Sequence, residues 1–349
     1  METMPAGRLH VESRRFAVEE VPVPVPGPGE ALIEVRAAGV CLSDAHLIDG
    51  TLSPLHLEGE AVTLGHEVAG VIHATGPDVA EKWRPGTPVL LAAGQVCGEC
   101  GGCRGRRGSC RKLLTRGVDY DGGWAQYALA REDTLVRLPE GLPFEQGAII
   151  PDAVSTPYAA VVTTAGVRPA QAVGVWGVGG LGAHGVRLAR LAGAVPVIAV
   201  DPLPEARQRA LDFGADLAFD PADPGLAEAV RGATGGLGLD AAFDFAGVTA
   251  AREQAAGVLA PGGQLVLVGL TPEPLALPYS ILFSYLGQQV KGHYGSAPEH
   301  LDQLVQLTAA GRLDLGPSIS GRVPLAEAAE AVAALEGKNG APVRLVLIP

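Results

Sequence analysis

Two rhythms of apolar and polar positions divide this chain. Over roughly the first 150 residues, short β-forming runs such as Ala31-Leu32-Ile33-Glu34-Val35 and Val68-Ala69-Gly70-Val71-Ile72 alternate with Pro/Gly turns. Pro22, Pro24, Pro26 and Pro28 mark one such turn region. Short runs punctuated this way predict a small β-barrel or sandwich. From about residue 155 the rhythm becomes strand, helix, strand, helix. Strands are predicted at Ala172–Trp176, Val195–Val200, Leu239–Phe245 and Gln264–Val268, and helices at Leu181–Leu191 and Glu205–Phe213. This alternation implies a parallel sheet with helices on both faces, so the expected class is α/β with a separate β-rich part. The alternation ends near Gly292–Ser296; the tail then offers a helix, Glu299–Ala310, and a last apolar strand, Val343–Ile348.

With 349 residues the chain is long enough for two cores, and 47% hydrophobic with 18% charged residues is an ordinary globular balance. A net charge of −12 argues against nucleic acid or an anionic membrane as the main partner. The local exception is Arg104, Arg106, Arg107 and Arg111 around a cysteine cluster, where a solvated basic loop is the simpler reading. The first thirty residues lack an apolar run behind a basic start, and no stretch reaches the ~18 apolar residues of a membrane span. A cytoplasmic location with reduced thiols is therefore expected, which favours metal over disulfide for the cysteines.

The predicted strand ending at Trp176 runs straight into Gly177-Val178-Gly179-Gly180-Leu181-Gly182. This is G-x-G-x-x-G with a strand before it and a helix after it. Gly177 permits the tight turn, Gly179 lets the backbone approach a pyrophosphate, and Gly182 lets helix and strand pack closely. The helix start then presents unpaired N–H groups to the phosphates. Asp201 ends the next strand, 19 residues after Gly182. A carboxylate there can bind both ribose hydroxyls of NAD and repel the 2′-phosphate of NADP; the alternative is a helix cap ahead of Pro202. The cofactor-binding set is Gly177, Gly179, Gly180, Leu181, Gly182, Asp201 and, ending a later strand, Val268.

All five cysteines fall into two groups. Cys97, Cys100, Cys103 and Cys110 follow C-x2-C-x2-C-x6-C, with Gly98, Gly101, Gly102, Gly105 and Gly108 between or beside them. Four thiolates so spaced can close a tetrahedron on Zn²⁺, leaving no vacancy, which makes a structural site. An iron–sulfur run of similar look ends C-x3-C-P, whereas here the last gap is six and Arg111 follows. Cys41 stands apart, with Gly65-His66-Glu67 downstream. A catalytic zinc keeps three protein ligands and one exchangeable position. Cys41 and His66 supply two candidates, and Asp152, in Pro151-Asp152-Ala153-Val154-Ser155-Thr156, is the third. Taken singly these residues have plainer readings: a small buried thiol, a core histidine, a helix cap.

With these motifs in this order, G-V-C-x-S-D, G-H-E, the four-cysteine lobe, the third-ligand segment and the dinucleotide loop, the sequence resembles the zinc-containing alcohol dehydrogenases of the medium-chain dehydrogenase/reductase superfamily. The resemblance implies a GroES-like catalytic domain at 1–153 and 294–349, with a structural zinc lobe at about 94–113, and a Rossmann NAD-binding domain at 154–293. It implies two zinc ions per chain, NAD, and a homodimer or homotetramer. Residue by residue, it makes Cys41, His66 and Asp152 catalytic zinc ligands and Cys97, Cys100, Cys103 and Cys110 structural ones. Asp44 matches the carboxylate holding His66, and Glu67 the glutamate behind the metal. Ser43 matches the hydroxyl at the substrate oxygen, His46 the far end of a proton relay, and Thr156 the threonine beside the nicotinamide. The implied reaction is reversible oxidation of a primary or secondary alcohol through a zinc-bound alkoxide. Alternatives are a polyol, formaldehyde-adduct or unsaturated-aldehyde enzyme of the same superfamily, or a non-enzymatic binding protein on the scaffold.

Overall fold

The computed structural model describes residues 2–104, 110–277, 280–338 and 340–349, and its chain divides into two compact units, Met1–Ala153 with Ser296–Pro349, and Val154–Gly295. Arg106, Arg107, Gly105 and Gly108 of the cysteine lobe lie outside the described residues.

The first unit is built on a seven-stranded sheet. Its order is Leu135–Arg137, Pro88–Leu91, Val68–Thr75, Glu30–Val40, Arg344–Ile348 and Ile319–Pro324, with Tyr127–Arg131 also paired to Glu30–Val40. The long strand Glu30–Val40 turns one face inward through Ile33, Val35 and Val40, which pack with Leu47, Val68, Ile72, Leu91 and Trp124. That burial stabilises each large side chain by about 1.5–3 kcal/mol. The final strand pairs antiparallel to it, Leu345 with Val40 and Leu347 with Ala38. The last residues of the chain therefore lie against the strand that leads into Cys41. A three-stranded sheet, Arg15–Pro22, Thr3–His10 and Ala61–Thr63, and a small pair, Gly94–Gln95 with Leu114–Thr115, complete the strands described in this unit.

The second unit is a six-stranded sheet whose pairings are all parallel. In space the order is Leu217–Phe219, Val197–Val200, Val173–Trp176, Leu239–Asp244, Leu259–Leu267, Gln289–Gly292. Numbered along the chain this is 3-2-1-4-5-6, the doubly wound dinucleotide order, with its switch point beside the first strand. Val173–Trp176 and Val197–Val200 are buried at every position, as a parallel strand covered on both faces must be. The strand expected at Val195–Val200 starts only at Val197, where its parallel pairing with Val173 begins. Among the described residues no helix is long and apolar enough to cross a membrane.

Candidate active site

Strand Glu30–Val40 delivers Cys41 to the start of helix Leu42–Asp49. The Cys41 N–H donates to Asp44 Oδ2 at 2.9 Å, so Asp44 secures the first turn. The other oxygen of Asp44 faces His66 Nδ1 at 3.5 Å, which directs Nε2 away from it. His66 follows Gly65, whose φ of +95° is a left-handed conformation. A Cβ on Gly65 would also run into the Trp124 indole, and that indole donates to the Gly39 carbonyl at 3.0 Å. Asp152 lies in a π-helical turn, Ile150–Val154, a rare local geometry enriched at functional sites.

The donor atoms of Cys41, His66 and Asp152 lie within 4.8 Å of one another. Zinc bond lengths on a regular tetrahedron require ligand–ligand edges of about 3.4 Å for N/O, about 3.6 Å for S/O and about 3.8 Å for S/S. The observed separations are 3.4 Å for His66 Nε2 to Asp152 Oδ2 and 3.5 Å for Cys41 Sγ to Asp152 Oδ2. One carboxylate oxygen thus stands at tetrahedral spacing from both a thiol and an imidazole. In the lobe, the sulfur separations are 3.8 Å for Cys97–Cys103, 3.6 Å for Cys100–Cys103 and 3.5 Å for Cys97–Cys110, and all five cysteines are free thiols. These three- and four-residue clusters are the metal-ligand groups found among the described residues.

In the second unit, Val173–Trp176 is followed by the glycine loop and helix Gly180–Leu191. Gly177 has φ +85°, and a Cβ on Gly182 would strike the Gly177 carbonyl. Asp201 closes the loop: its Oδ2 accepts the Val178 N–H at 2.7 Å and its Oδ1 the Leu203 N–H at 2.9 Å. The residue at the cap position of helix Pro204–Asp212 is Leu203, so Asp201 shapes the turn into that helix rather than capping it.

Two family descriptions match this chain: "Alcohol dehydrogenase GroES-like domain" over residues 27–140 and "Zinc-binding dehydrogenase" over 180–310. The NDMA-dependent alcohol dehydrogenase of Amycolatopsis methanolica is 34% identical, over 96% of each chain. The chain belongs to the zinc-containing alcohol dehydrogenase family. An alcohol dehydrogenase of Geobacillus stearothermophilus is 35% identical over 89% of this chain and 90% of that one. A Sinorhizobium meliloti zinc-binding dehydrogenase solved with NADP bound superposes with a TM-score of 0.90 at 29% identity, covering all of both chains. The β-rich unit of the chain is GroES-like and the parallel-sheet unit is Rossmann-like.

The electrostatics of the Cys41 centre call for positive charge. Burial by itself would lower the pKa of His66, yet the carboxylates of Asp44 and Asp152 more than reverse this and hold it well above the usual histidine value. Glu67 is fully buried, and burial pushes its carboxyl up to about 7 against the opposing pull of Arg344. In the lobe, backbone N–H groups of Arg111 and Cys103 draw Cys100 down to about 6, while burial and neighbouring thiols push Cys103 up to about 12. Ser43 Oγ lies 3.6 Å from Cys41 Sγ, and His46 stands three residues on along the same helix. In the Rossmann-like unit, the buried Thr156 is tied by its carbonyl, which accepts from His293 Nε2 at 2.9 Å. His293 Nδ1 meets Thr164 Oγ1 at 2.8 Å.

Three residues escaped the sequence reading. Arg344, in the last strand, contacts Glu67, Asp152 and the Val40 carbonyl. Arg209 donates to the Val178 carbonyl beside Asp201, and His293 holds Thr156. None carries a motif. A lone arginine in the apolar run Pro342-Val343-Arg344-Leu345-Val346 was the one signal available, since such a charge must find a buried partner.

Proposed function

We propose that this member of the family reversibly oxidises a primary or secondary alcohol to an aldehyde or ketone with NAD. In this reading Cys41, His66 and Asp152 hold a catalytic zinc, and Cys97, Cys100, Cys103 and Cys110 a structural one. The observation that carries it is the pair of separations at Asp152 Oδ2, 3.4 Å to His66 Nε2 and 3.5 Å to Cys41 Sγ, in a three-donor set that leaves one tetrahedral corner for substrate. When bound, zinc supplies Lewis acidity that brings the pKa of a coordinated hydroxyl from about 16 toward roughly 7, and NAD supplies the hydride acceptor.

The remaining work falls to the side chains. Cys41 and Asp152, both ionised, would offset the charge of a dication, and Asp44, with Oδ1 3.5 Å from Nδ1, faces the other side of the His66 ring from Nε2. Ser43 takes the hydroxyl proton, and His46, one turn along the helix, carries it outward. The glycine loop, from Gly177 through Gly180 and Leu181 to Gly182, receives the pyrophosphate, Asp201 the adenosine ribose and Val268 the adjoining face of the cofactor, with Thr156 beside the nicotinamide. Loss of a proton from the substrate makes turnover fall as pH drops below the apparent pKa of the relay.

The test joins metal analysis to a panel of alcohols and aldehydes followed by NADH absorbance, with NADP as control. About two zinc ions per chain, one for each cluster, and NAD-linked turnover abolished by His66→Ala are expected. A single zinc or none, or unchanged turnover in His66→Ala, overturns the reading.

A further inference from the structure

We infer that His293 is a positioning residue for the nicotinamide end of the cofactor, acting through Thr156. This rests on the proposed reading of the parallel-sheet unit as the NAD site. In a doubly wound sheet the ligand lies outside the carboxyl ends of the strands, one mononucleotide on each side of the switch point. Asp201 follows strand Val197–Val200 on one side, which, as a ribose acceptor, gives that half to the adenosine. The other half, Leu239–Asp244, Leu259–Leu267 and Gln289–Gly292, is left for the nicotinamide. His293 stands at the carboxyl edge of that half, directly after Gln289–Gly292. Its N–H donates to the Leu267 carbonyl at 2.9 Å, one residue before Val268.

Both ring nitrogens of His293 are engaged by the helical segment that runs from Ser155 to Ala165, within the same unit. Nε2 donates to the Thr156 carbonyl at 2.9 Å, and Nδ1 meets Thr164 Oγ1 at 2.8 Å. A carbonyl can only accept, so in the neutral ring the proton sits on Nε2 and Nδ1 accepts the Thr164 hydroxyl. The two threonines lie near opposite ends of the segment. One imidazole spans them because helix carbonyls point toward the C-terminus while side chains lean back toward the N-terminus. Neighbouring side chains of the sheet do a different job. Gln264 Nε2 donates to the Ala165 carbonyl at 2.7 Å and Lys291 Nζ to the Thr164 carbonyl at 3.1 Å. Those are the final carbonyls of the π-helical turn Ala160–Ala165, where a helix runs out of its own donors. His293 instead reaches back to the first turn, where the Thr156 carbonyl already accepts the Ala160 N–H. The second donor adds orientation: it fixes the plane of the peptide joining Thr156 to Pro157, and with it the direction in which the buried Thr156 side chain leaves the backbone.

A contact that only fastened the helix to the sheet would not distinguish the two ends of the cofactor. The test therefore compares NADH with ADP-ribose, which lacks the nicotinamide, each titrated calorimetrically into the full chain. His293→Ala, His293→Asn and His293→Gln are prepared; glutamine sets an N–H near the place of Nε2, asparagine near that of Nδ1. His293→Ala and His293→Asn are expected to bind NADH about 3- to 30-fold more weakly relative to ADP-ribose, with most of the difference recovered in His293→Gln. Thr164→Val, which removes the partner of Nδ1 alone, should show a smaller change of the same sign and stands in if the histidine variants do not fold. An NADH to ADP-ribose affinity ratio equal to wild type in folded His293→Ala, or in Thr164→Val where it stands in, overturns the inference whatever the melting temperature. A glutamine variant no better than the asparagine one overturns the role given to Nε2. Wild-type protein that binds neither NADH nor ADP-ribose overturns the NAD reading itself, and this inference with it.

Discussion

Replacing Asp201 by asparagine removes one charge and one acceptor from a carboxylate that the fold already uses twice. In the wild type, its two oxygens take the N–H groups of Val178 and Leu203 at 2.7 and 2.9 Å. A carboxylate has about four lone-pair sites, so two remain for ribose hydroxyls. Asparagine keeps one acceptor oxygen and places an NH₂ group where the second stood. One of the two backbone N–H groups then loses its partner at a site 7% exposed. The expected loss of folding stability is about 1–3 kcal/mol, read as a lower urea midpoint. The cofactor loses a charge-assisted hydrogen bond, about 1.5–3 kcal/mol. That is about a 10- to 150-fold rise in KM for NAD.

NADP responds in the opposite sense. Arg209 donates to the Val178 carbonyl, and although burial lowers its pKa, Asp201 supports its charged form. With the carboxylate gone, the guanidinium remains at the Val178 carbonyl and, on the proposed reading of Asp201, the repulsion of a 2′-phosphate disappears, so the NAD/NADP ratio of kcat/KM should fall. The assay is NADH and NADPH absorbance on one alcohol at saturating concentration, alongside urea unfolding. An unchanged midpoint together with an unchanged NAD/NADP ratio would refute the argument. A wild-type preference for NADP would refute the specificity half alone.

Gly39→Ala drives a Cβ into the Glu67 carboxylate, and overpacking of this kind costs about 1–3 kcal/mol; zinc at the Cys41 centre should be lost to chelator sooner than lobe zinc. Cys103→Ser should release one zinc per chain and make the lobe more protease-sensitive while zinc at the Cys41 centre is retained, checked by metal analysis and limited proteolysis. His300 makes stability pH-dependent. Its Nδ1 accepts the Ala297 N–H at 3.0 Å, and burial lowers its pKa from the ordinary 6.5, so the folded protein favours the neutral ring. Stability is therefore unaffected above about pH 6.5 and falls as pH drops through that value toward the depressed folded pKa. In His300→Gln, chemical denaturation between pH 7.5 and 5.5 should show a shallower decline; an identical decline would show that His300 is not its source.

The features legible in the sequence are those that depend on near neighbours. The strand at Val173–Trp176, the glycine loop and the helix to Leu191 announce themselves because turn chemistry, β-branching and helical spacing act over a few residues. The four-cysteine lobe is legible because a tetrahedral ion requires closely spaced donors on a short glycine-rich loop. Other elements left no such trace. Strand Leu217–Phe219 is three residues long, too short for a period to register, and Gln289–Gly292 is a polar edge strand. The π-helical turns Ile150–Val154 and Ala160–Ala165 use residues that would serve equally well in an α-helix. The sequence offers Asp201 as a ribose acceptor, whereas its two bonds to Val178 and Leu203 exist only in the folded loop.

By itself the sequence determined which donors exist and that the cysteines divide four and one. Cys41 could be read as an incomplete set, with His66 and Asp152 as its partners. Only the tertiary structure decided that one oxygen of Asp152 stands between the thiol and the imidazole, and that an arginine 304 residues from Val40 reaches across behind them. The physical reason is distance along the chain. A motif records interactions between near neighbours, whereas a buried charge is held by whatever the sheet register sets beside it, and here the pairing of Leu345 with Val40 brings the end of the chain to the ligand strand.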